Sequence, residues 1–108
     1  MAELDTTGGP SATLDARSED GRLVLGLAGE LDLTCVGQIR AGIDAALAGQ
    51  PDEVVFDLSA LSFMDSSGIA LLLSVAQQAG GVSVRDPTPI IRRLIELTGL
   101  SSVLPMSP

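Results

Sequence analysis

No lysine, histidine, tryptophan or tyrosine occurs among the 108 residues, and cysteine occurs once. Each absence removes a chemistry. A serine hydrolase needs a base for the hydroxyl proton, and without histidine or lysine the usual bases are missing. The G-x-S-x-G elbow is absent too, because Met64 stands where its first glycine would precede Ser66. A P-loop requires a lysine for the phosphates. Structural zinc needs more thiolate or imidazole ligands than one cysteine supplies, so no metal site, cofactor or catalytic residue is expected. Cys35 has no partner for an internal disulfide, which fits a reducing, cytoplasmic setting, and it reads as a small buried hydrophobe. No apolar run is long enough to span a bilayer, and no basic flank followed by an apolar stretch opens the chain. Neither a membrane anchor nor a secretion signal is expected.

Positive charge is scarce as well. Six arginines face fourteen acidic residues, for a net charge of −8. Nucleic acid and anionic lipid would both be repelled, and Arg92-Arg93 is too small a basic patch to reverse that. Aromatic residues are limited to Phe56 and Phe63, so the 45% hydrophobic fraction must build its core from aliphatic side chains. That is feasible in one domain of this size.

Residues 1–10, polar and rich in Gly and Thr, read as a flexible tail preceding a single domain over 11–108. Alternation from Ser11 to Arg17 predicts a half-exposed strand, Ser18-Glu19-Asp20-Gly21 a turn, and Leu23 to Ala28 an interior strand. Val36, Ile39, Ile43 and Leu47 mark a helix that Thr34 caps and Gly49 with Pro51 ends. Val54 to Leu58 is a short strand, Ser59 to Met64 a loop, and Ile69 to Ala79 an apolar helix stopped by Gly80-Gly81. Val82 to Val84 forms a strand, and Thr88-Pro89 opens a last helix with Ile91, Leu94 and Ile95 on its buried face. Gly99 then provides a left-handed end, and Val103-Leu104 a final strand. Strands joined by helices run parallel, so the expectation is an α/β fold: an antiparallel hairpin leading into a mixed sheet flanked by about three helices.

Asp65, Ser66 and Ser67 fall where the apolar helix begins, beyond the carboxyl end of a strand, where α/β sheets tend to place function. One reading is helix capping by a short polar side chain. The other is a phosphorylation switch. First-turn amides and the helix dipole favour an added phosphate, Gly68 allows close backbone approach, and phosphate adds about −1.5 to −2 charges beside Asp65. No charged residue lies between Asp65 and Arg85, so the helix is either buried or partly covered by a partner or a second copy. Asp32, Asp57 and Asp65 could gather at strand ends as in an aspartyl-phosphate receiver, but such receivers also use a lysine. Asp57 reads instead as a strand-end residue that caps backbone amides.

Gly29-Glu30-Leu31-Asp32, Asp57-Leu58-Ser59-Ala60-Leu61-Ser62-Phe63-Met64-Asp65-Ser66-Ser67-Gly68, and Arg92-Arg93-Leu94 through Thr98-Gly99-Leu100 together resemble the STAS domain of anti-sigma-factor antagonists. The resemblance runs in order from about Leu23 to Leu104. It implies a bacterial partner-switching protein of transcription regulation and stress response. The unphosphorylated form binds an anti-sigma factor with serine kinase activity and frees the sigma factor; a metal-dependent serine phosphatase reverses phosphorylation. The phosphorylated serine corresponds to Ser66, and Asp32, Asp65, Ser67, Gly68 and Ile69 are the implied switch surface. The apolar helix reaches Gly80-Gly81 about one turn sooner than is usual in the family, and Pro108 stands where relatives carry another helix. Uncovered apolar surface, with either a homodimer or a marginally stable fold, is the matching expectation. The alternative is a STAS scaffold or self-association module, not phosphorylated, in which Ser66 is only a helix cap.

Overall fold

The computed structural model describes residues 12–79 and 81–107; the expected tail over 1–10, Ser11 and Gly80 lie outside them. Among the described residues the order is β1 (Ala12–Glu19), β2 (Arg22–Leu31), α1 (Val36–Leu47), β3 (Val54–Met64), α2 (Ser66–Gln78), β4 (Val82–Arg85) and α3 (Pro89–Leu97). The strands lie in one sheet in the order β1-β2-β3-β4, with β1 antiparallel to β2 and the β2–β3 and β3–β4 pairs parallel. The mixed sheet, its opening hairpin and its helices are as expected. No described helix is long and apolar enough to cross a membrane.

Four local expectations are corrected. The first turn is shorter than four residues, because Ser18 and Glu19 still pair with Leu23 and Arg22. Only Asp20 and Gly21 turn, at φ of 52° and 81°, the positive pair that a tight hairpin needs for its twist to match the strands. Ser59 to Met64 is strand, not loop. Two register shifts leave β3 with extra residues opposite β2, so burial falls on Leu58, Leu61 and Met64 instead of alternating. Thr34 does not cap α1: the cap position is Cys35, and the Thr34 hydroxyl donates to Asp32 at 2.6 Å. Val103-Leu104 forms a turn with Leu104 fully buried, and the sheet contact falls to Met106, which bridges to Val84.

The last helix follows its sequence signals closely. The Thr88 hydroxyl accepts from the Ile91 amide at 3.4 Å, with Pro89 in the first turn. At the far end the amides of Gly99 and Leu100 donate to the carbonyls of Glu96 and Ile95, and Gly99 adopts a φ of 75°. This is a left-handed termination in which a side chain would be strained.

One core joins Leu23, Leu25 and Leu27 of β2 with Val54, Phe56 and Leu58 of β3, and with Ile39, Ile43, Leu71, Leu72, Val75, Ile91 and Ile95 of the helices. All three helices therefore cover the same sheet face. On the other face Arg17 pairs with Asp15 at 2.7 Å, Glu19 at 2.9 Å and Asp57 at 3.7 Å, while Arg85 pairs with Glu19 at 3.3 Å. Val24 and Val55 are fully buried on this face, and Arg17 lies directly cross-strand from Val24. Long arginine stems shield apolar surface while their heads stay wet.

The expectation for the apolar helix is resolved toward burial. α2 turns Gly68, Leu71, Leu72 and Val75 inward, and Ser66, Ala70, Gln77 and Gln78 outward. None of the exposed large hydrophobic residues described lies on it. They are Leu33, Phe63, Ile90, Leu97 and Val103.

Candidate functional site

Parallel strands deliver β2 and β3 to the same end of the sheet, where the loop after Leu31 meets the start of α2. The Asp65 amide donates to the Leu31 carbonyl at 3.1 Å, continuing the sheet one step past the strand. Asp65 is then the N-cap of α2. Its Oδ1 accepts from the Ser67 amide at 2.9 Å, the Gly68 amide at 3.2 Å and the Ser67 hydroxyl at 2.5 Å. Its Oδ2 accepts from the Leu33 amide at 3.2 Å, so one carboxylate fastens the helix start to the β2–α1 loop. In that loop Asp32 Oδ1 accepts from the Thr34 amide at 3.0 Å and from its hydroxyl, and the Asp32 carbonyl accepts from the amides of Cys35 and Val36.

Gly68 is buried and makes this junction possible. A Cβ there would lie 3.0 Å from Leu31 Cγ, from the Leu31 carbonyl oxygen and from Met64 Cβ. Its place in the expected switch surface is thus underneath, positioning the exposed residues without reaching the surface itself. Ile69 is half-buried against the core, whereas Asp32, Asp65 and Ser67 are partly exposed at the rim.

The two acids are set up to stay ionised. The Ser67 hydroxyl, followed by backbone amides, holds the Asp65 carboxyl below the ordinary aspartate range, against a smaller opposing effect of burial. The Thr34 hydroxyl does the same for Asp32, and the charge of Asp65 opposes it only weakly. Asp57 does not join them. It lies within β3 rather than at its end, on the open sheet face. Burial pushes its pKa up, but bonds from Ser59 and the charges of Arg85 and Arg17 pull it lower overall. The three-acid cluster of a phosphate receiver is therefore not formed by Asp32, Asp57 and Asp65.

Ser66 differs from both neighbours. It is the first residue of α2, it is exposed, and its hydroxyl has no hydrogen-bond partner among the described residues. Asp65, not Ser66, holds the cap position of α2. The Ser67 and Gly68 amides of the first turn are occupied by the Asp65 carboxylate.

Two features went unnoticed in the sequence. Leu33, 74% exposed with its amide held by Asp65, puts an apolar side chain on the rim. Its signal was an apolar residue isolated between Asp32 and Thr34. A shallow groove of about 280 Å³, lined by Val36, Gly37, Arg40, Ser67, Ala70 and Leu71, runs between α1 and α2 beside the serine. Only tertiary packing creates it.

Comparison with known proteins agrees with this arrangement. The family profile described as Mlab, STAS domain matches residues 14–105. An anti-sigma F factor antagonist of Lysinibacillus sphaericus is 40% identical over 83 residues, covering 72% of this chain and 71% of that protein. The crystal structure of an anti-sigma factor antagonist from Mycobacterium paratuberculosis superposes with a TM-score of 0.83 at 34% identity, covering 91% of this chain and 86% of that one. The Bacillus cell fate determinant SpoIIAA in its phosphorylated form superposes with a TM-score of 0.65 at 30% identity, covering 89% and 92%. With the family profile spanning nearly the whole described fold, the chain belongs to the STAS domain family, among the anti-sigma factor antagonists.

Proposed function

We propose that the unphosphorylated protein binds an anti-sigma factor that is also a serine kinase, releasing the sigma factor, and that phosphorylation of Ser66 ends the binding. The observation that carries this is the contrast between two adjacent serines. Ser67 is tied to Asp65, while the Ser66 hydroxyl is exposed and free of partners among the described residues. The γ-phosphoryl of ATP passes to Ser66 Oγ, the hydroxyl proton departs, and ADP leaves. A metal-dependent serine phosphatase hydrolyses the ester to the hydroxyl and inorganic phosphate.

The switch needs no refolding. Phosphate adds about −1.5 to −2 charges next to Asp65 and Asp32, in a chain already at −8. A partner surface fitted to a hydroxyl and to Leu33 would then have to desolvate a dianion, which costs more than the contact returns. A structural relative solved in a phosphorylated form supports the reading. The rim of Asp32, Asp65 and Ser67, with Ile69 behind and Gly68 beneath, is the surface the partner reads.

Incubation with the cognate kinase and Mg-ATP, followed by mass spectrometry of the peptides, tests the assignment. Phosphate belongs on Ser66 and is lost in Ser66→Ala, which retains partner binding but no longer responds to ATP. Ser66→Asp weakens binding less than the phosphate does, because one carboxylate carries less charge. Phosphate on another residue, or a folded Ser66→Ala protein that cannot bind, defeats the proposal.

A further inference from the structure

Four of the six arginines sit in ion pairs: Arg17 and Arg85 on the open sheet face, Arg22 with Glu53 at 4.0 Å, and Arg40 with Asp44 at 3.7 Å. Arg92 and Arg93 have no carboxylate partner among the described residues, and both are exposed on α3. The same helix carries the most exposed run of apolar side chains. While Ile91 and Ile95 enter the core and Leu94 packs partly against it, Ile90 and Leu97, two helical turns apart, face outward on the same side of α3. Ile90 is 58% and Leu97 70% exposed, with Leu94 half-buried between them. Arg93 stands three residues from Ile90 and four from Leu97, so it borders both. Unpaired positive charge and exposed apolar surface thus coincide on this face of an otherwise acidic protein.

We propose that the outer face of α3 docks an acidic amphipathic helix of the partner that reads Ser66; this rests on the function proposed above. Apolar residues of the incoming helix cover Ile90, Leu94 and Leu97, its carboxylates pair with Arg93, and Arg92 adds attraction at longer range. The start of α3 is tied to the strand that leads to Ser66. The Thr88 hydroxyl, at the start of α3, donates to the Leu61 carbonyl at 3.2 Å, on the strand that delivers Ser66. A second copy of this chain fits poorly. Antiparallel pairing centred on Leu94 would bring Arg93 toward its own counterpart, and both copies carry a net charge of −8.

The test uses the purified kinase that phosphorylates Ser66 and the full chain, wild type and with Arg93→Glu or Leu97→Ser. Both positions are exposed, and circular dichroism checks that the variants fold. Isothermal titration should show Kd raised roughly tenfold or more in each variant, since truncated anchor contacts cost at least that much. Wild-type binding should weaken with added salt, and Arg93→Glu binding should lose most of that dependence. In phosphorylation kinetics KM should rise with kcat unchanged, because α3 does not carry the accepting hydroxyl. Unchanged Kd and KM in both folded variants overturn the α3 inference while leaving the Ser66 switch intact. A wild-type chain that neither binds nor accepts phosphate overturns both.

Discussion

Replacing Gly68 by alanine and Gly37 by alanine makes the same chemical change in the first turn of two helices, with opposite expected signs. Relieving a helical glycine of its backbone freedom is worth about 0.5–1 kcal/mol in favour of alanine. At Gly37 nothing lies within 4 Å of the added Cβ, so the full gain applies. At Gly68 the methyl would meet the Leu31 carbonyl oxygen, Leu31 Cγ and Met64 Cβ at 3.0 Å each. None of these is the free end of a flexible side chain, so α2 must lift by a few tenths of an ångström from Leu31 and Met64. Overpacking of this kind costs about 1–3 kcal/mol, and the net is a loss of about 1 kcal/mol. For a domain of this size each kcal/mol moves Tm by about 4–8 °C, so Gly68→Ala should melt several degrees low and Gly37→Ala a few degrees high. Thermal denaturation followed by circular dichroism, with urea titration as a check, reads both. A Gly68→Ala protein as stabilised as Gly37→Ala would refute the reasoning: the helix start would then float free of Leu31, and the placement of Ser66 would not depend on that contact.

Phe56→Ala, at a position fully buried in the core, should cost about 3–5 kcal/mol in urea unfolding; a loss under 1 kcal/mol would contradict the packing described. Thr88→Ala removes the cap of α3 and the bond to Leu61, for a loss of about 1 kcal/mol by the same measurement. Asp32, Asp57 and Asp65 all bind protons less readily when folded than when unfolded, so the unfolded chain gains protons first in acid. Their stabilisation is complete above the ordinary aspartate value of about 4 and is lost as pH falls through the folded values. The urea midpoint should therefore drop below about pH 4, less steeply in Asp65→Asn, and a midpoint that holds constant into acid would count against these bonds. Ser67→Ala removes the hydroxyl bond to the Asp65 cap and should lower Tm in calorimetry; an unchanged Tm would count against that bond.

Much of the fold was legible because the relevant signals are local. Thr88-Pro89 and Gly99 bracket α3 as their conformational preferences require, and the apolar spacing of Ile39 and Ile43 placed the buried face of α1. β3 was read too short for a physical reason. Beyond Leu58 its two register shifts replace alternation with burial at every third residue, a period that no isolated strand displays. The site was half legible. A cluster of Asp and Ser before an apolar helix marks an N-terminus, but all three side chains can cap, and local preference does not rank them.

The linear chain, then, determined the order and kind of the main helices and strands, that the protein would be acidic and aliphatic, and that a serine would stand at the head of α2. It did so through effects reaching only a few residues: capping, side-chain period and turn strain. Tertiary structure decided what holds the head of α2 in place. Asp65 reaches Leu33, a residue far away in sequence, only because parallel pairing carries β2 and β3 to the same edge, and in doing so it takes the helix amides and Ser67 for itself. That distant bond holds the carboxylate over the helix start, with Ser67 tied to it and Ser66 exposed.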